Sequence, residues 1–443
     1  MKDTIKSGKL FVCFTALLTF SANAQLITQT GSLPQIRTSH SSELLSNGKV
    51  LVMGGNDGTF LNLKLYRSAA LYNNGTWSST ANMSTERDEV ASILLDNGNV
   101  LVAGGENDTS ELKSCEIYNV STGTWSATGN MNIKRSGSKL IKLNNGKILA
   151  VGGNYQKSCE LYDQGTGTWT ITGAFNLSRG TSVEATKLPN GDVLLTGSSD
   201  SAEIYSAANG TWSRVPAAMK DRSHASAILM SNGKVLIAGG SADYTTEVFD
   251  PVTKTITKVG DLNEYASSCK MINLNNGNVL IYGMGDIFSI DRKALQVYNV
   301  NSAKWTYAGT VGPSVITGFD YTVNRLPTGK ILYAGGMFST GNGANQYCYL
   351  VNEASIINGI ETSTENKSTF SCYPSPAQGS LYVQSNINLV GTSYQIYDQA
   401  GRLALRGEFS TTDYVINLND LQSGIYFLQL SVAGGKAFKI MVE

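Results

Sequence analysis

Asn97-Gly98-Asn99-Val100-Leu101-Val102-Ala103-Gly104-Gly105 combines a turn dipeptide, an unbroken apolar run and a glycine pair. It decides the fold because it recurs. Dipeptides of the same kind stand at Asn47-Gly48, Asn145-Gly146, Asn190-Gly191, Asn232-Gly233, Asn276-Gly277 and Thr328-Gly329. Asn-Gly favours the type I′ turn, in which both central residues take positive φ, so each predicts a hairpin. Six residues beyond each hairpin glycine comes another: Gly54, Gly104, Gly152, Gly197, Gly239, Gly283 and Gly335. A glycine closing a strand suits a place where backbones crowd.

Three more registers repeat around this core. All five tryptophans share one, at Trp77, Trp125, Trp169, Trp212 and Trp305, with Ile256 in the remaining unit. Seven residues earlier lies an aromatic, at Tyr118, Tyr162, Tyr205, Phe249 and Tyr298; in the shorter first unit it is Tyr72. Ten residues after the tryptophan register comes Arg87, Arg135, Arg179 or Arg222. Arg37 completes the series, and Ile27 precedes it by the same interval. The seventh unit, from Ile316 to Val351, holds three strands and no fourth. Its missing strand is expected in Gln25 to Thr30, at the far end of the chain. Four strands and roughly 47 residues per unit describe a propeller blade. The reading is all-β: a seven-bladed propeller over residues 25–352, in which the N-terminal strand closes the last blade and removes two sheet edges.

The flanks differ. Residues 1–24 read as a signal peptide, with Lys2, Lys6 and Lys9 ahead of an apolar stretch, Leu10 to Phe20. That stretch is too short to span a bilayer, and no later segment reaches transmembrane length. Ala22-Asn23-Ala24 is a small-x-small cleavage site, which makes Gln25 the expected new N-terminus. Residues 353–368, rich in Asn, Ser, Thr and Glu, read as a linker. Residues 369–443 carry alternating runs, such as Leu381-Tyr382-Val383 and Tyr394-Gln395-Ile396-Tyr397, parted by Asp-x-x-Gly and Ser-Gly turns. They predict a small Ig-like antiparallel β-sandwich.

The repeat resembles the kelch family, also found in galactose-oxidase-like propellers, on its Gly-Gly, Tyr, Trp and Arg registers. The tail resembles the type A C-terminal sorting domain of the type IX secretion system of Bacteroidota. Its landmarks are Tyr373-Pro374-Ser375-Pro376, Asp398-Gln399-Ala400-Gly401-Arg402, Ser423-Gly424-Ile425-Tyr426 and Lys436-Ala437-Phe438-Lys439-Ile440. Ser375 departs from the family's usual Asn. The resemblance implies a protein that is secreted or attached to the outer-membrane surface, with the type IX machinery as partner through residues 369–443.

Composition excludes one class of function. Lys+Arg and Asp+Glu are 34 each and only 15% of residues are charged. A nucleic-acid partner would require a basic excess to displace counterions.

Copper-radical oxidases, which the kelch resemblance raises, need two His, a Tyr and a Cys-linked Tyr around one metal. This chain has two histidines, His40 and His224, eight and nine residues before their hairpin glycines. Strand alternation would point them to opposite faces. Gly-Thr-Trp runs at 75–77, 123–125, 167–169 and 210–212 lack the Ser-x-Asp of a sialidase Asp-box. No metal or cofactor motif is present, and no catalytic residue is assigned. Cys115, Cys159, Cys269, Cys348 and Cys372 form no disulfide framework and read as free thiols.

The candidate ligand residues are Arg37, Arg87, Arg135, Arg179 and Arg222, on the connections from each blade's outer strand to the next inner strand. A ring of them at the channel mouth would hold carboxylate or sulfate. Glu86, Asp88, Glu184, Asp221 and Glu264 are near in sequence and would neutralise such a ring. The expectation is a glycan- or protein-binding module. The alternatives are a carbohydrate-active hydrolase with unlocated carboxylates, or a structural surface component.

Overall fold

In the computed structural model, the structure describes residues 26–357 and 370–443. Excepted are 60–61, 180–181, 241–242, 265, 285–293, 311–317, 339–342, 374–375, 386–388, 411–413 and 431–436. The signal segment, its Ala24–Gln25 cleavage point, most of the linker, and Pro374 and Ser375 lie outside the described residues.

Seven four-stranded antiparallel sheets follow one another. Blade 1 comprises Ser41–Leu44, Val50–Met53, Ala69–Asn73 and Thr76–Ser79, and blades 2 to 6 repeat the pattern. Blade 7 takes three strands from Thr322–Arg325, Lys330–Ala334 and Cys348–Asn352, and its outer strand is Ile27–Gln29, paired Ile27↔Val351 and Gln29↔Tyr349.

The second strand of each blade explains why the repeated run is wholly apolar. Val50 to Met53, Val100 to Ala103 and Ile148 to Val151 are all fully buried, because a neighbouring blade covers either face. Leu51 and Met53 pack with Val100 and Val102 of blade 2, whereas Val50 and Val52 pack with Leu332 and Ala334 of blade 7. The propeller core is therefore seven seams, one between each pair of blades. Burying one such side chain contributes about 1.5–3 kcal/mol. The Tyr and Trp registers meet across strands, as in Tyr118↔Trp125 with ring centroids 5.1 Å apart. In blades 2 to 4 the tyrosine hydroxyl reaches a threonine of the preceding blade: Tyr118 to Thr80 at 2.7 Å, Tyr162 to Thr128 at 2.7 Å, Tyr205 to Thr172 at 2.8 Å. Tyr72 closes the ring on Thr30 at 2.8 Å.

Two expectations are corrected. The hairpins are not type I′, since only the glycine takes positive φ, 80° at Gly48 and 81° at Gly98. The turn is four residues long, with Leu45 N–H bonded to Lys49 O and Gly48 N–H to Leu45 O. Asn recurs there for its side chain, which accepts the N–H two residues on: Asn47 from Lys49, Asn97 from Asn99, Asn145 from Lys147. The propeller also runs past residue 352. Residues 353–357 form a helical turn with Ile356 fully buried in the seam between blades 6 and 7, and the Glu353 carboxylate accepts from Arg325 and the Asn275 N–H.

The tail is a separate compact unit, the chain dividing between Ile360 and Glu361. Its three-stranded and four-stranded sheets enclose one core that includes Leu381, Ile396, Ile416, Leu428 and Ile440. The five cysteines among the described residues are free, and four of them are buried.

Candidate functional site

Arg37, Arg87, Arg135, Arg179 and Arg222 are each 2% exposed or less, and none presents its charge at the rim. The expectation of a ligand-binding arginine ring is corrected: the five side chains fold inward and pin the incoming connection to its own blade. Each donates to the carbonyl of the glycine that closes the second strand, Arg87 to Gly104 at 2.7 Å and Arg135 to Gly152 at 2.8 Å. That explains the glycine there. A Cβ on Gly104 would stand 2.3 Å from the Arg135 carbonyl oxygen.

The neutralising acids are also different ones. Arg87 pairs with Glu116 at 3.0 Å, Arg135 with Glu160 at 3.2 Å, Arg179 with Glu203 at 3.6 Å and Arg222 with Glu247 at 3.2 Å. Each glutamate also accepts backbone N–H groups of the connection, such as Ser84 on Glu116 and Asn132 on Glu160. The signal was present as Glu-aliphatic-aromatic, two residues ahead of the aromatic register. Blade 1 lacks that acid, and Arg37 there bonds Ser68, stacks 5.4 Å over the Tyr66 ring and is lowered by burial to about 10.

Two residues after the arginine, the chain does something else. Ser39, Glu89, Gly137, His224, Ser268 and Asp320 all stand nine residues before their hairpin glycines, and all take left-handed φ, between 46° and 66°. Left-handed backbone costs a non-glycine residue about 1–2 kcal/mol, yet five of six positions are not glycine. The kink turns these side chains into the channel mouth. It also links blades, since Glu89 N–H donates to Ser39 O and Gly137 N–H to Glu89 O. His224, in this register, is exposed at the cavity, whereas His40, one register position further on, is buried against Thr322.

That cavity measures about 650 Å³. Seven residues before the hairpin glycine, its wall carries Ser41, Lys139, Glu184, Lys270 and Thr322. Lys139 and Glu184 pair at 3.0 Å. The charge of Lys139, followed by desolvation, lowers the Lys270 ammonium below the usual lysine range. Asp320 is raised by desolvation, with the charge of Glu89 adding to the rise and Lys270 and His224 opposing it. Among the described residues, Ser138 Oγ, a buried polar atom of the wall, has no hydrogen-bond partner. His40 Nε2 meets Thr322 Oγ1 at 3.1 Å, and burial lowers this ring to about 3, leaving it neutral. On the same face, Tyr155 is 67% exposed, on a connection where Asn154 and Tyr155 both take positive φ.

Comparison with known proteins agrees with this architecture. Residues 91–132 match the Kelch motif, and residues 371–443 match the Secretion system C-terminal sorting domain. The chain is thus a kelch-type propeller carrying a type IX sorting domain, which directs export to the cell surface or the extracellular space. No helix among the described residues is long and apolar enough to cross a membrane. Beta-agarase A of Zobellia galactanivorans is 28% identical over 183 residues, 38% of this chain and 32% of the agarase. The chain spans about a third of that relative's length. A fungal alcohol oxidase of the AA5 family, solved in complex with copper, superposes with a TM-score of 0.59 at 14% identity, over 94% of this chain and 98% of the other. That likeness shows the fold alone.

The residues here do not fit the copper ion of that oxidase. Among the described residues no three His, Cys, Asp or Glu are grouped to hold a metal. Tyr321, beside His40 in the wall, donates its hydroxyl to the Tyr282 carbonyl at 2.6 Å.

Proposed function

We propose that the propeller binds a glycan at the channel mouth. The observation that carries this is the ring of left-handed residues, which turns serine, glutamate, histidine and aspartate into one cavity. Sugars are recognised by convergent polar groups, with an aromatic face where a ring can stack. Tyr155, exposed on the connection between the second and third strands of blade 3, supplies such a face. The agarase among the relatives supports a carbohydrate-related role. Calorimetry of the full-length protein against a panel of neutral and acidic oligosaccharides tests it. Binding that weakens at least fivefold in Tyr155→Ala or Asp320→Asn is expected; silence across the panel would move the role to a protein partner or a structural part.

A second reading, a carbohydrate-active hydrolase, draws on Glu89 and Asp320, two carboxyl groups lining one cavity, since glycosidases work with a pair of carboxyl groups flanking the scissile bond. Release of shorter sugars from a bound oligosaccharide, lost in both Glu89→Gln and Asp320→Asn, separates it from binding alone.

A further inference from the structure

We infer that the cavity reads an acidic sugar unit, carboxylate or sulfate, held by Lys270 with Lys139 while Glu89 and Asp320 accept its hydroxyls. This rests on the glycan reading above and names the class of glycan.

The charges in the cavity are sorted by depth and by side. Glu89 of blade 2 and Asp320 of blade 7 flank blade 1 at the mouth, nine residues before their hairpin glycines. Lys139 of blade 3 and Lys270 of blade 6 stand two residues further along their inner strands, so they lie deeper in the channel. A ligand entering from this face meets acceptors first and, below them, a level that carries Lys139, Glu184 and Lys270.

The two lysines are not equivalent. Lys139 already has Glu184 at 3.0 Å. Among the described residues, Lys270 has no carboxylate within salt-bridge reach, and its strongest electrostatic neighbour is the like charge of Lys139. Glu184 and Asp320 offset part of that repulsion, and an anion beside Lys270 adds a charge-assisted hydrogen bond, roughly twice as strong as a neutral one. Glu89 is held by the Ser136 hydroxyl at 2.9 Å, which leaves its other oxygen available to a sugar hydroxyl. A neutral sugar would satisfy the mouth and leave Lys270 unmatched. An acidic one satisfies both levels.

The test uses matched pairs of probes on the full-length protein. Oligouronates (galacturonate, mannuronate and glucuronate series) are compared with their methyl esters, and sulfated galacto-oligosaccharides with their desulfated forms. At least one acid is expected to bind about tenfold or more tightly than its neutral counterpart, with affinity falling as salt rises. Lys270→Gln should erase that preference while leaving the melting temperature unchanged. Which pair shows the preference distinguishes carboxylate from sulfate. Equal affinity for charged and neutral partners, or a preference that survives Lys270→Gln, overturns the inference and leaves the glycan reading standing. No binding by any probe overturns both.

Discussion

Arg87 and Glu89 are two residues apart and belong to different chemistry. The arginine position is occupied identically in blades 1 to 5, buried in every one and tied to carbonyls and, in four of the five, to a glutamate. The position two residues on, where described, is Ser, Glu, Gly or His, and its side chain faces the cavity. Uniformity marks the residue that each blade needs in order to stand; variety marks the residue that the ring as a whole presents. Blade 6 sharpens this lesson. Ala266 sits there in the arginine register and Gln296 in the glutamate register, so both charges are missing together. Gln296 still accepts the Asn263 N–H at 2.8 Å. Blade 6 replaces the pair as a pair, whereas blade 1 keeps the buried arginine alone and satisfies it with the Ser68 hydroxyl and the Tyr66 ring.

The largest effect should come from halving one. Arg135→Ala leaves the Glu160 carboxylate buried without its cation and is expected to cost about 3–5 kcal/mol in urea denaturation. A loss under about 1 kcal/mol would break the distinction between the two positions. Adding Glu160→Gln should recover part of the loss, as blade 6 does, with a coupling of about 0.5–3 kcal/mol in the double-mutant cycle.

Acid separates the regions next. His40 is lowered by burial to about 3, so the unfolded chain binds its proton first. Its contribution is present above pH 6.5 and lost progressively as pH falls toward 3. Glu43, on the inner strand of blade 1, is raised by burial to about 7, and Ser92 donates to it at 2.7 Å. Its contribution has the opposite sign: fully present below pH 4.5 and lost as pH rises through 7. His40→Gln should flatten the acid limb of the stability profile, and Glu43→Gln should flatten the change between pH 4.5 and 7. Unaltered limbs would mean that neither group stays buried in solution.

The smallest effect on stability is expected at the cavity. Glycine in place of His224 relieves left-handed backbone and should change stability by no more than about 1 kcal/mol, in the favourable direction. If His224→Gly instead destabilises as strongly as Arg135→Ala, the cavity ring is a structural element like its neighbour.

The period was legible because it rests on local rules: a turn residue, a run buried on both faces, and a crowded glycine each leave a mark on their own segment. Depth was not legible in the same way. Arg135 and Gly137 are nearly adjacent in sequence, and nothing local says that one side chain turns inward while the other position faces the channel. The partner of Arg135 was nevertheless written in the chain as Glu160-Leu161-Tyr162, in step with the arginine. The left-handed ring left no mark of this kind. Positive φ is read from glycine, and five of its six members use other residues. The cavity's charge pattern arises only when seven blades bring their inner strands to one axis.

The outer strand of blade 7, Ile27–Gln29, fixes an order of events. It lies at the start of the propeller segment, and its partner Cys348–Asn352 lies at the end. Blades 1 to 6 can stack as they emerge, each covering the last, while Ile27 waits uncovered. Sealing is then one late step that turns an arc into a ring. Afterwards both ends of the propeller segment emerge from the same sheet, so tension applied at either end is borne by that one clasp.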